Sequence, residues 1–175
     1  MYSYIGGNEY GEDYRDLVDI LDTTTGVWES QPAIPAIGRA SLGCLTTEYN
    51  GEMGLMITGG CSNGCQVREQ LTKQKLFPEL MITILHFQDH LADSYFFSYA
   101  SKTWETLPSL TEERMGHGIT HIDGYPAVIG GYNSQLLDGI ELWDGANWIA
   151  HPDRLTYARW AYGMPAYVPM ADISC

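Results

Sequence analysis

The chain has 175 residues, enough for one ordinary domain, and its 22 acidic against 9 basic side chains leave a formal charge of −13. Such a chain lacks the positive field that nucleic-acid backbones and anionic membranes require, and no apolar run approaches the roughly 18 residues of a membrane span. A hydrophobic content of 45% excludes a wholly disordered chain, while 19 glycines, 12 Tyr and 5 Trp suggest short strands and tight turns.

In chain order the predicted elements recur. Tyr2-Ser3-Tyr4-Ile5 reads as a short strand ending in the pair Gly6-Gly7, and an acidic loop over 8–16 follows. Val18–Asp22 alternates as a half-exposed strand does, Asp22-Thr23-Thr24-Thr25-Gly26 supplies turn chemistry, and Trp28 lies on the next strand. Arg39 comes eleven residues after Trp28, and Gly43 four beyond it. The second round has Leu55-Met56-Ile57-Thr58, Gly59-Gly60, Trp104, Arg114 and Gly118. The third has Pro126-Ala127-Val128-Ile129, Gly130-Gly131, Ile140–Asp144, Trp148, Arg159 and Gly163. A glycine pair at a strand end permits positive φ and close approach of backbones. Each round therefore reads as four antiparallel strands with tryptophan on the last.

These landmarks, with the pairs Leu21/Trp28, Tyr99/Trp104 and Trp143/Trp148, resemble the kelch repeat family, in which a unit of roughly 50 residues forms one blade of a β-propeller. The resemblance implies an all-β chain of about three four-stranded antiparallel blades, a partial propeller. Residues 1–38 are a first unit lacking its first strand, 39–113 a second unit, 114–158 a third, and 159–175 the first strand of a fourth. Three blades fall short of the four to eight of closed propellers, so the expectation is a fragment of a larger protein, or self-association through open blade edges.

Residues 67–88 depart from the repeat. Gly60 to Trp104 spans 44 residues, against 21 from Gly7 to Trp28 and 17 from Gly131 to Trp148, and the excess holds Lys73 and Lys75 but no Gly, Trp or Tyr. Val67-Arg68 can be encoded by GTAAGA and Phe87-Gln88 by TTTCAG, so the segment fits a retained short intron of 22 codons. The alternative is a binding insertion in which Leu80–Leu91 form an amphipathic helix with His86 and His90 one turn apart, although structural zinc needs four ligands.

Chemistry-bearing motifs are scarce. Cys61 and Cys65 lie four apart, with Cys44 and Cys175 elsewhere; reduced thiols in an intracellular, cytoplasmic protein are the expectation. His117 and His121 are too far apart along a strand to share a metal, and no phosphate loop or Ser/His/Asp order is present. No metal or cofactor is expected, and no enzyme. Instead the resemblance implies a non-catalytic protein-interaction module, of the kind that recognises substrates for ubiquitin-ligase adaptors, with a protein or peptide as partner. Its candidate contact residues are the loop residues Tyr10, Tyr14, Arg15, Asn63, Asn133, Ser134 and Gln135, and the strand-start arginines Arg39, Arg114 and Arg159. The arginines suit acidic peptide groups or, equally, local carboxylates such as Glu112 and Glu113. The alternatives are a fragment of a kelch-fold enzyme (an oxidase or an isomerase) or of a secreted kelch protein.

Overall fold

Short runs of β-branched and aromatic residues, punctuated by glycine-bearing turns, form most of the strands of the computed structural model, which describes residues 2–7, 14–62 and 89–160. Thirteen strands occur among these residues: β1 (Tyr2–Ile5), β2 (Val18–Asp22), β3 (Val27–Gln31), β4 (Gly43–Tyr49), β5 (Glu52–Thr58), β6 (Cys61–Ser62), β7 (Asp89–His90), β8 (Ser94–Ser98), β9 (Trp104–Leu107), β10 (Gly118–Ile122), β11 (Tyr125–Tyr132), β12 (Leu136–Trp143) and β13 (Trp148–Arg154). They make three sheets, sheet 1 (β1-β2-β3), sheet 2 (β4-β5-β8-β9) and sheet 3 (β10-β11-β12-β13), plus the ribbon β6-β7. All strand pairs are antiparallel. The chain is thus all-β in its described part, with no helix there.

The sheets stack face to face in chain order. β5 is almost wholly apolar because sheet 2 is covered on both sides. Leu55, Ile57, Tyr95 and Phe97 pack against Val18, Ile20 and Ile34 of the first unit. From the opposite face Met56 and Phe96 pack against Ile119, Val128, Trp143 and Trp148 of sheet 3. Each fully buried side chain of this size contributes about 1.5–3 kcal/mol, so the middle sheet carries much of the stability.

One backbone device repeats at each sheet junction. The second glycine of each pair donates its N–H to the carbonyl of the next unit's arginine: Gly7 to Arg39, Gly60 to Arg114 and Gly131 to Arg159, all at 2.9 Å. The glycines adopt φ values of 65° and 100°, 54° and 101°, and 65° and 110°. A Cβ on Gly59 would lie 2.5 Å from the Arg114 carbonyl oxygen, one on Gly130 would lie 2.7 Å from that of Arg159, and Gly6 meets Arg39 in the same way. Both φ and space therefore require glycine here.

Three readings of the sequence are corrected. Cys61 is disulfide-bonded, with Cys44 free, so reduced thiols do not describe this residue and no longer support an intracellular setting. Asp89 and His90 form a strand against Ser62 and Cys61 rather than the end of a helix over Leu80–Leu91. His117 is not in a strand but one residue before β10, buried between sheets 2 and 3. Residues 67–88 lie outside the described residues, as does the first strand expected of a fourth unit beyond residue 160.

His117 Nε2 sits 2.8 Å from Thr58 Oγ1. Burial, and then the nearby Arg114 charge, push its pKa down to about 3. The folded value lies below the unfolded one of about 6.5, so on acidification the unfolded chain takes up the proton first. Stability is therefore full above pH 6.5 and declines as pH falls toward 3, by up to about 1.4 kcal/mol per unit. Urea melts at pH 7 and pH 5 should show that loss, and His117→Gln should reduce it while lowering stability at pH 7. The junctions make a second prediction: Gly59→Ala should destabilise by about 2 kcal/mol or more, combining φ strain with a backbone clash. Gly26→Ala, at φ 73° with open space around it, should lose only the strain. Thermal melts of the two variants compare the effects.

Candidate functional site

The sheets have two different ends. At one, tight turns such as Asn50-Gly51 and Asp123-Gly124 join consecutive strands, with both central residues at positive φ. At the other lie the glycine pairs, the loops after them and the strand starts that carry the arginines. The candidate contact residues that the structure describes belong to this glycine end.

The arginines divide. Arg39 is 0% exposed and donates to both carboxylate oxygens of Asp93, at 2.7 and 2.8 Å, and to the Gly59 carbonyl at 3.2 Å. Its guanidinium also lies over the Tyr95 ring, 5.4 Å from the centroid. Arg114 is 1% exposed and donates to Glu141 at 2.6 Å and to the carbonyls of Gly130 and Gly139 at 2.8 and 3.3 Å. Glu112 adds a longer contact of 3.5 Å. Asp93 is held ionised: burial pulls its pKa up, but the Arg39 bonds and charge and the Tyr95 hydroxyl outweigh it, so the net shift is downward. These two arginines are interior staples and do not face a partner. Each ties its own sheet together by its side chain and the preceding sheet by its carbonyl. Arg159 alone of the three is exposed.

The remaining candidates form a rim. Tyr14 and Arg15 are half-buried, and the Arg15 backbone is wedged between Gly7 and Arg39, donating to one and accepting from the other. Asn133 is half-buried; its Nδ2 donates to Glu112 Oε1 at 3.1 Å, and its N–H donates to the Gln135 carbonyl at 3.1 Å. That tight turn holds Ser134 at φ 80° and leaves Ser134 and Gln135 exposed. Tyr10 and Asn63 lie outside the described residues.

Reading the landmarks alone misses an aromatic row on this rim. The His90 and Tyr132 rings meet edge to face with centroids 5.6 Å apart, and Tyr132 meets Trp160 at 5.5 Å. Tyr132 follows a glycine pair directly and Trp160 follows an arginine directly, so each occupies a fixed offset from a landmark. Their junction is fixed by backbone bonds between Met115 and Tyr132 in both directions, each at 3.0 Å. Burial holds His90 below the ordinary histidine pKa against the opposing pull of Glu113 and Asp89, so the ring is neutral and flanked by carboxylates.

At the turn end a cavity of about 360 Å³ opens between sheets 2 and 3, lined by Thr47, Tyr49, His121, Tyr125 and Trp143 among others. His121 Nε2 lies 3.1 Å from Thr47 Oγ1, and Tyr49 donates to Glu105 at 3.1 Å. Among the described residues no three His, Cys, Asp or Glu side chains are grouped closely enough to hold a metal ion.

Arg114→Ala should destabilise by about 3–5 kcal/mol, because Glu141, 2% exposed, would be left charged without its partner. Arg154→Ala, which removes an exposed pair with Asp138, should change stability by no more than about 1 kcal/mol in chemical denaturation. A scan against protein-family models and a search of curated proteins each find no match to the chain.

Proposed function

We propose that the chain is a non-catalytic protein-interaction module of kelch type, part of a β-propeller, that holds a segment of a partner protein at its glycine end. The observation that carries this reading is the half-buried Tyr132–Trp160 pair, backed by the buried His90 ring, beside the exposed Ser134-Gln135 turn, standing on stacked sheets. Loops on a rigid frame are a common platform for recognition, and aromatic side chains supply contact area at low entropic cost.

The charge of the rim favours one class of partner. Arg39 and Arg114 are buried, which removes two of the groups that would hold an acidic peptide. Glu112, Glu113 and Asp89 lie near the aromatic row, on a chain of formal charge −13. A segment bearing Lys or Arg gains from these carboxylates and from cation–π contact with Tyr132 or Trp160. Recruitment of such a segment to a ubiquitin-ligase adaptor is the extension that the kelch resemblance suggests.

An array of basic peptides, with acidic peptides of matched length as controls, tests the reading by fluorescence binding to the full chain. Basic sequences should bind in preference, and Tyr132→Ala and Glu113→Lys should each weaken them about tenfold, some 1.4 kcal/mol. Glu48→Ala, at the turn end, should leave binding unchanged. Equal binding of acidic and basic peptides, or equal sensitivity to the turn-end change, would reject this site.

A further inference from the structure

The stacking of the three sheets repeats position by position. In sheet 2, Ile57 is paired with Tyr95 and Phe97 with Trp104, and these four side chains pack toward sheet 1. In sheet 3 the same positions hold Val128 paired with Glu141 and Trp143 paired with Trp148, which face sheet 2. In sheet 1 they hold Tyr4 paired with Asp19 and Leu21 paired with Trp28. This face is built as the other two are, yet no described residue covers it: Tyr4 is 66% and Trp28 53% exposed, where Trp148 is 3%.

The opposite end of the stack presents the complementary face. On the outer side of sheet 3, Tyr125, Leu142, Ile149 and Pro152 line a shallow cavity of about 330 Å³. Tyr125 and Ile149 there are about half exposed, at 54% and 50%. Beside this face, Arg159 repeats one half of the arginine staple. Its carbonyl accepts from Gly131, and its Nε donates to the Tyr157 carbonyl at 3.3 Å, as the Nε atoms of Arg39 and Arg114 donate to Ile37 and Glu112. Its terminal nitrogens, unlike theirs, have neither carboxylate nor carbonyl among the described residues.

We propose that the outer face of sheet 1 in one copy of the chain docks on the outer face of sheet 3 in a second copy, head to tail. A second copy supplies both missing halves with the right chemistry. Trp104 donates from Nε1 to the Pro32 carbonyl at 2.8 Å across the existing junction. At the second junction the equivalent Trp148 donates to Ser94 Oγ at 3.2 Å, so the tryptophan crosses each junction with an acceptor of its own, and Trp28 of one copy takes the corresponding place against the cavity that Ile149 and Pro152 line in the other. Asp19 and the Gly6 carbonyl hold in sheet 1 the places of Glu141 and Gly130 in sheet 3, and they complete the Arg159 staple. This pairing of opposite charges sets the register of two chains that otherwise repel at −13 each. Used twice, the contact closes two copies into a ring of six sheets, within the range of closed propellers, and covers both of these outer faces. The docking rests on sheet stacking and is independent of the peptide site at the glycine end.

Sedimentation of the full chain tests it. The chain should be a dimer. Trp28→Glu, Tyr4→Glu and Leu142→Glu, all on exposed faces, should each give a folded monomer by circular dichroism, and Arg159→Ala should raise the dissociation constant about tenfold or more. Mixing Trp28→Glu with Leu142→Glu should restore a dimer, since one intact junction remains between the two variants, whereas a contact of like face on like face would stay broken. A monomeric parent chain, a dimer indifferent to these changes, or failure of the mixture to reassociate would each overturn the proposal.

Discussion

Everything in this fold depends on one residue doing two jobs at each sheet junction. The arginine carbonyl receives an N–H from the glycine pair of the sheet before, while the guanidinium of the same residue binds a carbonyl and a carboxylate of its own sheet. The main chain thus joins neighbouring sheets and the side chain anchors the strand start within one sheet. Burial makes both bonds strict. A guanidinium excluded from water must be fully paired, so Asp93 and Glu141 cannot be given up separately from Arg39 and Arg114. The apolar stacking of Met56, Phe96, Val128 and Trp143 gives the energy, and the staple gives the register.

What could be read from the sequence is what backbone geometry forces into a regular spacing. Gly59-Gly60 must be glycine because φ is positive and a carbonyl lies against the position of a Cβ. Trp104 and Trp148 recur because each seals a junction between sheets. These requirements act within a few residues, so they leave a periodic trace. The arginines leave the same trace but hide their meaning, because their partners are distant and differ in kind. Asp93 lies 54 residues from Arg39 and just before β8, whereas Glu141 lies within β12 at the position that Tyr95 occupies in sheet 2. A carboxylate that moves from one place to another between repeats cannot be found by comparing repeats. The aromatic row was hidden for the opposite reason: Cys61, Tyr132 and Trp160 directly follow landmarks, but their types differ from unit to unit.

The distribution of charge follows from the same division of labour. Two of the chain's few cations are spent inside the fold on Asp93 and Glu141, so the pairs cancel and the formal charge of −13 is carried by the rest of the chain. His117 is likewise kept neutral in the interior, beside Arg114, because a second positive charge there would have no counterion. The glycine end is left with carboxylates and aromatic rings, a combination that the frame itself does not need.

The ribbon of β6 and β7 has a separate consequence. Because Ser62 pairs with Asp89 and Cys61 with His90, the chain leaves sheet 2 and returns to it through a closed gate two residues wide. Once such a gate is shut, the length of chain beyond it weighs little: each doubling of a flexible loop adds only about 0.6 kcal/mol of closure entropy. The core therefore senses the number of residues between Ser62 and Asp89 only weakly. Whatever its origin, added sequence at this point costs the fold little closure entropy, which makes the gate a place where this fold tolerates a segment of varied length.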